Sequence, residues 1–140
     1  MSLSKTTTLG KIIINPSVIS REVRAAATPV KEKMFFATNK GKLVAPPNKI
    51  SSGELASNLI VEETEDKINI TLYIIMSFGS SIKNVTETIF DGLEDTLKTL
   101  FPTKDGLITI KIVGVKSKNI APRDIEVVRE YEASRQSEHN

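Results

Sequence analysis

Asp91, Glu94 and Asp95 lie within five residues of one another. On a helix that spacing could serve as the acid pair of a glycosidase or as oxygen ligands for Mg²⁺. The same residues sit on the polar side of an amphipathic pattern, where solvated acids are the ordinary outcome. Glu62, Glu63, Glu65 and Asp66 form a second acidic group, but they bracket a turn and lack the loop spacing and central glycine of an EF-hand. The chain has no cysteine, which excludes thiol nucleophiles, disulfides, Cys-ligated zinc and iron–sulfur clusters. The single histidine, His139, is one residue from the end of the sequence, a poor place for a general base or a metal ligand. The glycines at 10, 41, 53, 79, 92, 106 and 114 are isolated, so neither glycine-rich phosphate loop is present. These residues predict no catalytic centre, no metal and no cofactor.

The cations carry more information. A net charge of +2 conceals +7 in residues 1–50 and −5 in the remaining ninety, an asymmetry that points to an anionic partner or to pairing between the two parts. Arg24, Lys31, Lys33, Lys40, Lys42 and Lys49 form the candidate surface for such a partner. Phe35 and Phe36 lie among these lysines, and single-stranded nucleic-acid binders combine positive loops with aromatic platforms. The competing expectation is that both rings pack into the core while the lysines are solvated. A third is that opposite charges complement one another between subunits.

The elements that must position these side chains can be read from periodicity. With 140 residues, 39% hydrophobic and 26% charged, the chain has the length and composition of one folded domain. It lacks a run of about 18–20 apolar residues, and no apolar secretory stretch stands at its start, so a cytoplasmic protein is expected. Residues 1–9 read as a flexible lead-in. The β-branched run Lys11–Ile14 is a strand, and Asn15-Pro16 after it has the form of a helix start. Ile19, Val23, Ala26 and Val30 recur at helical spacing, and Pro29 stops or kinks that helix. Periodicity then lapses over a long basic loop at about 31–53.

Leu59–Glu63 and Ile68–Phe78 read as a hairpin joined by Thr64-Glu65-Asp66-Lys67. In its second strand Ile68, Ile70, Leu72, Ile74, Met76 and Phe78 fall on one face. After a Gly79-Ser80-Ser81 break, Ile82, Val85, Ile89, Leu93, Leu97 and Leu100 draw the apolar stripe of a helix. A strand at Leu107–Val113 follows. Residues 116–140 read as a polar, partly disordered extension in which Ile120 and Ile125–Val128 could add an edge strand or short helix. The pattern predicts one α+β domain at 10–115, a two-layer sandwich in β-α-β-β-α-β order. In it two amphipathic helices cover one face of a four-stranded mixed sheet.

Four segments, in order, resemble the alkaline shock protein family, also called the envelope stress response or general stress protein family of Gram-positive bacteria. Gly10-Lys11-Ile12-Ile13-Ile14-Asn15-Pro16-Ser17-Val18-Ile19 is similar to its opening strand-to-helix start. Ile70–Gly79 is similar to its central strand, Ser81-Ile82-Lys83-Asn84-Val85 to the helix start after it, and Ile110–Val115 to its closing strand. The chain departs from the family after the first helix, where Ala27-Thr28 is retained but the following glycines are not. The resemblance implies a cytoplasmic, non-enzymatic protein of cell-envelope homeostasis or stress response that is able to self-associate and, in some members, is held at the inner face of the membrane by a membrane-anchored partner. Nucleic-acid binding through residues 24–49 is the alternative.

Overall fold

The computed structural model describes residues 12–13 and 15–133; the lead-in at 1–9 and His139 lie outside the described residues. Strand β1 (Ile12–Ile13) precedes Asn15, whose Oδ1 accepts a hydrogen bond from the Ser17 N–H at 3.0 Å. Asn15 thus caps a 3-10 turn at Pro16–Val18, and helix α1 (Ser20–Ala27) follows it. Ile19, Val23, Ala26 and Val30 are all buried, so their spacing marks the core side of this helical segment. The α-helix stops before Pro29, within a second 3-10 turn at Thr28–Val30.

The segment expected to be a loop holds β2 (Met34–Ala37) and β3 (Leu43–Ala45), and α2 (Ser52–Ala56) begins at its end. α2 opens with a capping box in which Ser51 Oγ accepts from the Glu54 N–H while Glu54 Oε1 accepts from the Ser51 N–H, both at 3.1 Å. The hairpin of β4 (Leu59–Glu63) and β5 (Lys67–Ser77) closes where the Thr64 N–H donates to the Lys67 carbonyl at 2.9 Å. Ser81 Oγ caps α3 (Ile82–Leu100) by accepting from the Asn84 N–H at 3.1 Å. β6 (Asp105–Lys116) and β7 (Ile120–Tyr131) complete the order.

The four-stranded, two-helix arrangement in β-α-β-β-α-β order is therefore corrected. Among the described residues the sheet is mixed and has seven strands, and there are three α-helices. The additions arise because β2 and β3 are too short to show a period, α2 spans barely one turn, and β7 is an edge strand rich in charge.

β5 is the axis of the sheet. β6 runs parallel along one edge of it, with α3 as the crossover that a parallel connection requires. The other edge is shared between β4, opposite Ile68–Leu72, and β2, opposite Ile74–Met76. β1 lies beyond β4, β3 beyond β2, and β7 beyond β6.

Cross-strand rows follow from this register. Leu59, Leu72, Ile110 and Val127 form one row, and Val61, Ile70, Ile108 and Arg129 another. Apart from Val127 and Arg129 these side chains are buried, in one cluster with Val85, Ile89, Leu93 and Leu97 of α3 and Val23 of α1. α1 and α3 meet where a Cβ on Gly92 would stand 3.1 Å from the Ala26 Cβ.

The opposite face of the sheet carries the row Ile60, Thr71, Thr109 and Val128. Phe78 does not continue the buried face of β5. The strand ends at Ser77, and Phe78 is 75% exposed.

Candidate functional site

Of the three α3 acids singled out in the sequence, Asp91 and Glu94 are engaged by cations, whereas Asp95 is exposed and enters no ion pair between described residues. Arg129 on β7 donates from Nη1 to Glu94 Oε1 at 2.9 Å and to Asp91 Oδ1 at 3.2 Å. Lys98 approaches the other Glu94 oxygen at 2.9 Å. Burial alone would raise the Glu94 pKa, but the hydrogen bonds from Lys98 and Arg129 outweigh it and hold the carboxyl below its ordinary value. Burial likewise opposes ionisation of Arg129, while Glu94 and Asp91 push its pKa up. The guanidinium also stands 5.1 Å from the centre of the Phe90 ring, and Lys98 Nζ 5.5 Å from that of Tyr131. The arrangement clasps the edge strand to the helix. Glu94 is the anion at its centre.

A second constellation locks the acidic hairpin. Lys104 Nζ donates to the carbonyls of Thr64 and Glu65 at 2.6 and 2.9 Å and pairs with Glu63 Oε2 at 3.1 Å. The Asp105 N–H donates to the Asp66 carbonyl at 2.9 Å, joining the same turn to the start of β6. Nearby, Tyr131 covers Gly106 and walls an open hollow of about 460 Å³ shared with Lys67, Asn69 and Glu130. Burial first, and then the charges of Glu94 and Asp105, push the Tyr131 pKa up to about 12. Among the described residues no group of three Asp, Glu or His side chains could hold a metal ion.

The six cations singled out in the sequence occupy three places. Arg24 Nη1 donates to the Ile50 carbonyl at 3.1 Å, which sets Arg24 beside the segment that carries Lys49. Lys40 and Lys42 stand in the β2–β3 turn, where both backbone N–H groups donate to Thr38 Oγ1. Lys31 and Lys33 stand before β2, at the end of the sheet where β5 finishes. Of the aromatic pair between these sites, Phe36 is buried in the core and Phe35 is half-buried opposite Ile75. Ion pairs between described residues all join side chains from the later ninety positions. The basic first third is not neutralised by them.

At the end of β5 the structure adds residues that sequence reasoning passed over. The Ser77 N–H donates to the Lys33 carbonyl and the Phe78 N–H to the Lys116 carbonyl, both at 2.9 Å. Phe78 is thereby set between two lysine-bearing turns. The signal was present in the Phe-Gly-Ser-Ser break and in Lys116-Ser117-Lys118, but the second run was absorbed into the polar extension.

Fold and site together define a small α+β domain with helices over one face of a mixed sheet and a surface studded with lysines. The chain belongs to the alkaline shock protein 23 family, described as having a cell envelope-related function, whose family model matches residues 4–117. The resemblance read from the four sequence segments is borne out by that match. The chain is also 30% identical over 114 residues to the uncharacterized protein YqhY of Bacillus subtilis (strain 168), covering 79% of this chain and 80% of that protein. No solved structure matches at the same stringency. Among the described residues no helix is long and apolar enough to cross a membrane.

Proposed function

We propose that this protein serves cell-envelope homeostasis without catalysis, by self-association through the uncovered face of its sheet. The observation that carries the reading is the row Ile60, Thr71, Thr109 and Val128, which crosses four strands on the side away from α1 and α3. Ile60 and Val128, at its ends, are 37% and 45% exposed. Two small hydroxyl side chains lie between them, so the stripe is flat, uncharged and rich in β-branched residues, a surface suited to packing against another sheet. Of the rows on either side, one balances its own charge, with Lys111 Nζ 3.8 Å from Glu126 Oε1, and the other carries Glu62 and Glu130 at its ends. A second copy seated over this stripe and the Lys111–Glu126 side would leave the acids of the other row at its solvated rim. The family's cell envelope-related description supports the cellular setting.

Sedimentation equilibrium of the full chain over a range of concentrations tests this reading. Self-association that rises with concentration and is abolished by Val128→Glu supports it; a monomer throughout overturns it. The same face is open to the membrane-anchored protein partner that the family resemblance implies. Affinity capture from native cells with the wild-type chain and with Val128→Glu distinguishes that occupant from a second copy.

A further inference from the structure

We propose that the end of the domain carrying Phe78 docks directly on an anionic lipid bilayer. This surface is separate from the sheet face assigned to self-association and does not depend on it. The local backbone explains why a large apolar ring stands in solvent. The Ser80 N–H donates to the Ser77 carbonyl at 3.1 Å, and Gly79, with φ +85°, takes the third position of the turn. That is the pattern of a type II turn, in which the third residue needs positive φ and the second residue, here Phe78, projects outward. Phe78 is 75% exposed, the largest exposure among the big apolar side chains described.

The charge around the ring is predominantly positive. Hydrogen bonds to the carbonyls of Lys33 and Lys116 fix the flanking turns, which also bring Lys31 and Lys118. Glu32 is the single acid in the three turns at 31–33, 77–81 and 116–120. None of the four lysines enters an ion pair between described residues. Ile120, 37% exposed at the start of β7, adds a second apolar group at this end.

A lone projecting ring among lysines matches the two needs of peripheral membrane binding. The aromatic side chain enters the boundary between headgroups and acyl chains, and ammonium groups are drawn to the negative leaflet surface. The cations are all lysines, point charges suited to a diffuse anionic field; planar, bidentate phosphate recognition favours arginine. Nucleic-acid stacking would favour successive aromatic platforms, whereas Phe36 is in the core and Phe35 is half-buried.

The chain contains no tryptophan, so Phe78→Trp places a single indole reporter at the tip. Full-length protein is mixed with phosphatidylcholine vesicles, with and without phosphatidylglycerol, at low and high salt. Binding is expected only to the phosphatidylglycerol vesicles, with a blue shift of the indole emission and release at high salt. Phe78→Ser should weaken binding about ten-fold, and Lys116→Gln and Lys118→Gln about five-fold each. Circular dichroism and the sedimentation profile should stay as in the wild type, since all three residues are at the surface.

Absence of vesicle binding at low salt overturns the proposal, as does binding that Phe78→Ser leaves unchanged. Retention of a mixed-sequence oligonucleotide by the same lysines, without vesicle binding, also overturns it in favour of a nucleic-acid partner. Because the sedimentation experiment reads a different face, loss of either proposal leaves the other standing.

Discussion

Arg129 Nη1 and Glu94 Oε1 stand 2.9 Å apart, joining the outermost strand of the sheet to the long helix beneath it. Their side chains are 28% and 22% exposed, against 73% for Asp91, the other acid Arg129 meets. A part-buried pair with several hydrogen bonds resists screening better than an exposed one. Glu94→Gln is accordingly expected to lower stability by about 1–2 kcal/mol, and Asp91→Asn by less than about 0.5 kcal/mol. Urea titrations at neutral pH measure both, and equal losses would show that the clasp does not centre on Glu94.

The same clasp gives stability an acid limb. Burial acts to raise the Glu94 pKa, but Lys98 and Arg129 hold it below the ordinary value of 4.5. A carboxylate depressed in the folded state contributes stability that is complete above its unfolded pKa and lost as pH falls through the folded one. Stability should therefore decline as pH drops below about 4.5, and Glu94→Gln should flatten that decline. Parallel acid limbs for wild type and variant would contradict this.

Tyr131 sets an alkaline limb of opposite sense. Burial and the charges of Glu94 and Asp105 move its pKa from 10.0 to about 12. The folded state keeps the phenolic proton after the unfolded chain has lost it, so stability falls as pH rises from 10.0 through about 12. Tyr131 Oη is buried and has no hydrogen-bond partner among the described residues. Tyr131→Phe should thus be neutral or stabilising by up to about 1 kcal/mol at pH 7 and should remove its share of the alkaline loss. Thermal melts across that pH range read both effects.

How much of this architecture could be read beforehand varied with element length and burial. Val85, Ile89, Leu93 and Leu97 are fully buried, as their spacing on α3 predicts, and so are Ile68, Ile70, Leu72 and Ile74 on β5. Leu100 is 48% exposed because the stripe outruns the core at the last turn. Met34-Phe35-Phe36-Ala37 is apolar throughout, so it shows no alternation although it pairs with β5. α2 left one trace, the Ser51-x-x-Glu54 capping box, which is independent of periodicity. β7 does alternate, with Ile125, Val127, Arg129 and Tyr131 on the helix side, but its cation and exposed Val128 disguised the pattern. The docking tip was hardest to read because its lysines come from turns more than 80 residues apart, joined only through hydrogen bonds to the end of β5.

Gly92 is where α1 and α3 come closest. A Cβ there would lie 3.1 Å from the Ala26 Cβ and 3.2 Å from its Cα, so the neighbouring helix must yield by a few tenths of an ångström. Alanine gains about 1 kcal/mol in helix propensity over glycine, and this is expected to cancel the crowding, leaving Gly92→Ala within about 1 kcal/mol of wild type. Gly92→Leu has no such balance and should cost about 3 kcal/mol by forcing the helices apart. Chemical denaturation of the two variants separates a tight crossing from a tolerant one.

Gly106 and Tyr131 face each other across β6 and β7, and the tyrosine ring occupies the space a side chain on Gly106 would need. A glycine inside a strand is weak by itself, and an aromatic ring laid over it restores the lost burial. Gly106→Ala must therefore displace the ring, and a loss of about 2–3 kcal/mol is expected. In a Tyr131→Ala background the space is empty, and the same alanine should be neutral or favourable because it suits a strand better than glycine. The double-mutant cycle should return a coupling of about 2 kcal/mol or more. Simple additivity would show that the ring rests on β6 without depending on the missing Cβ.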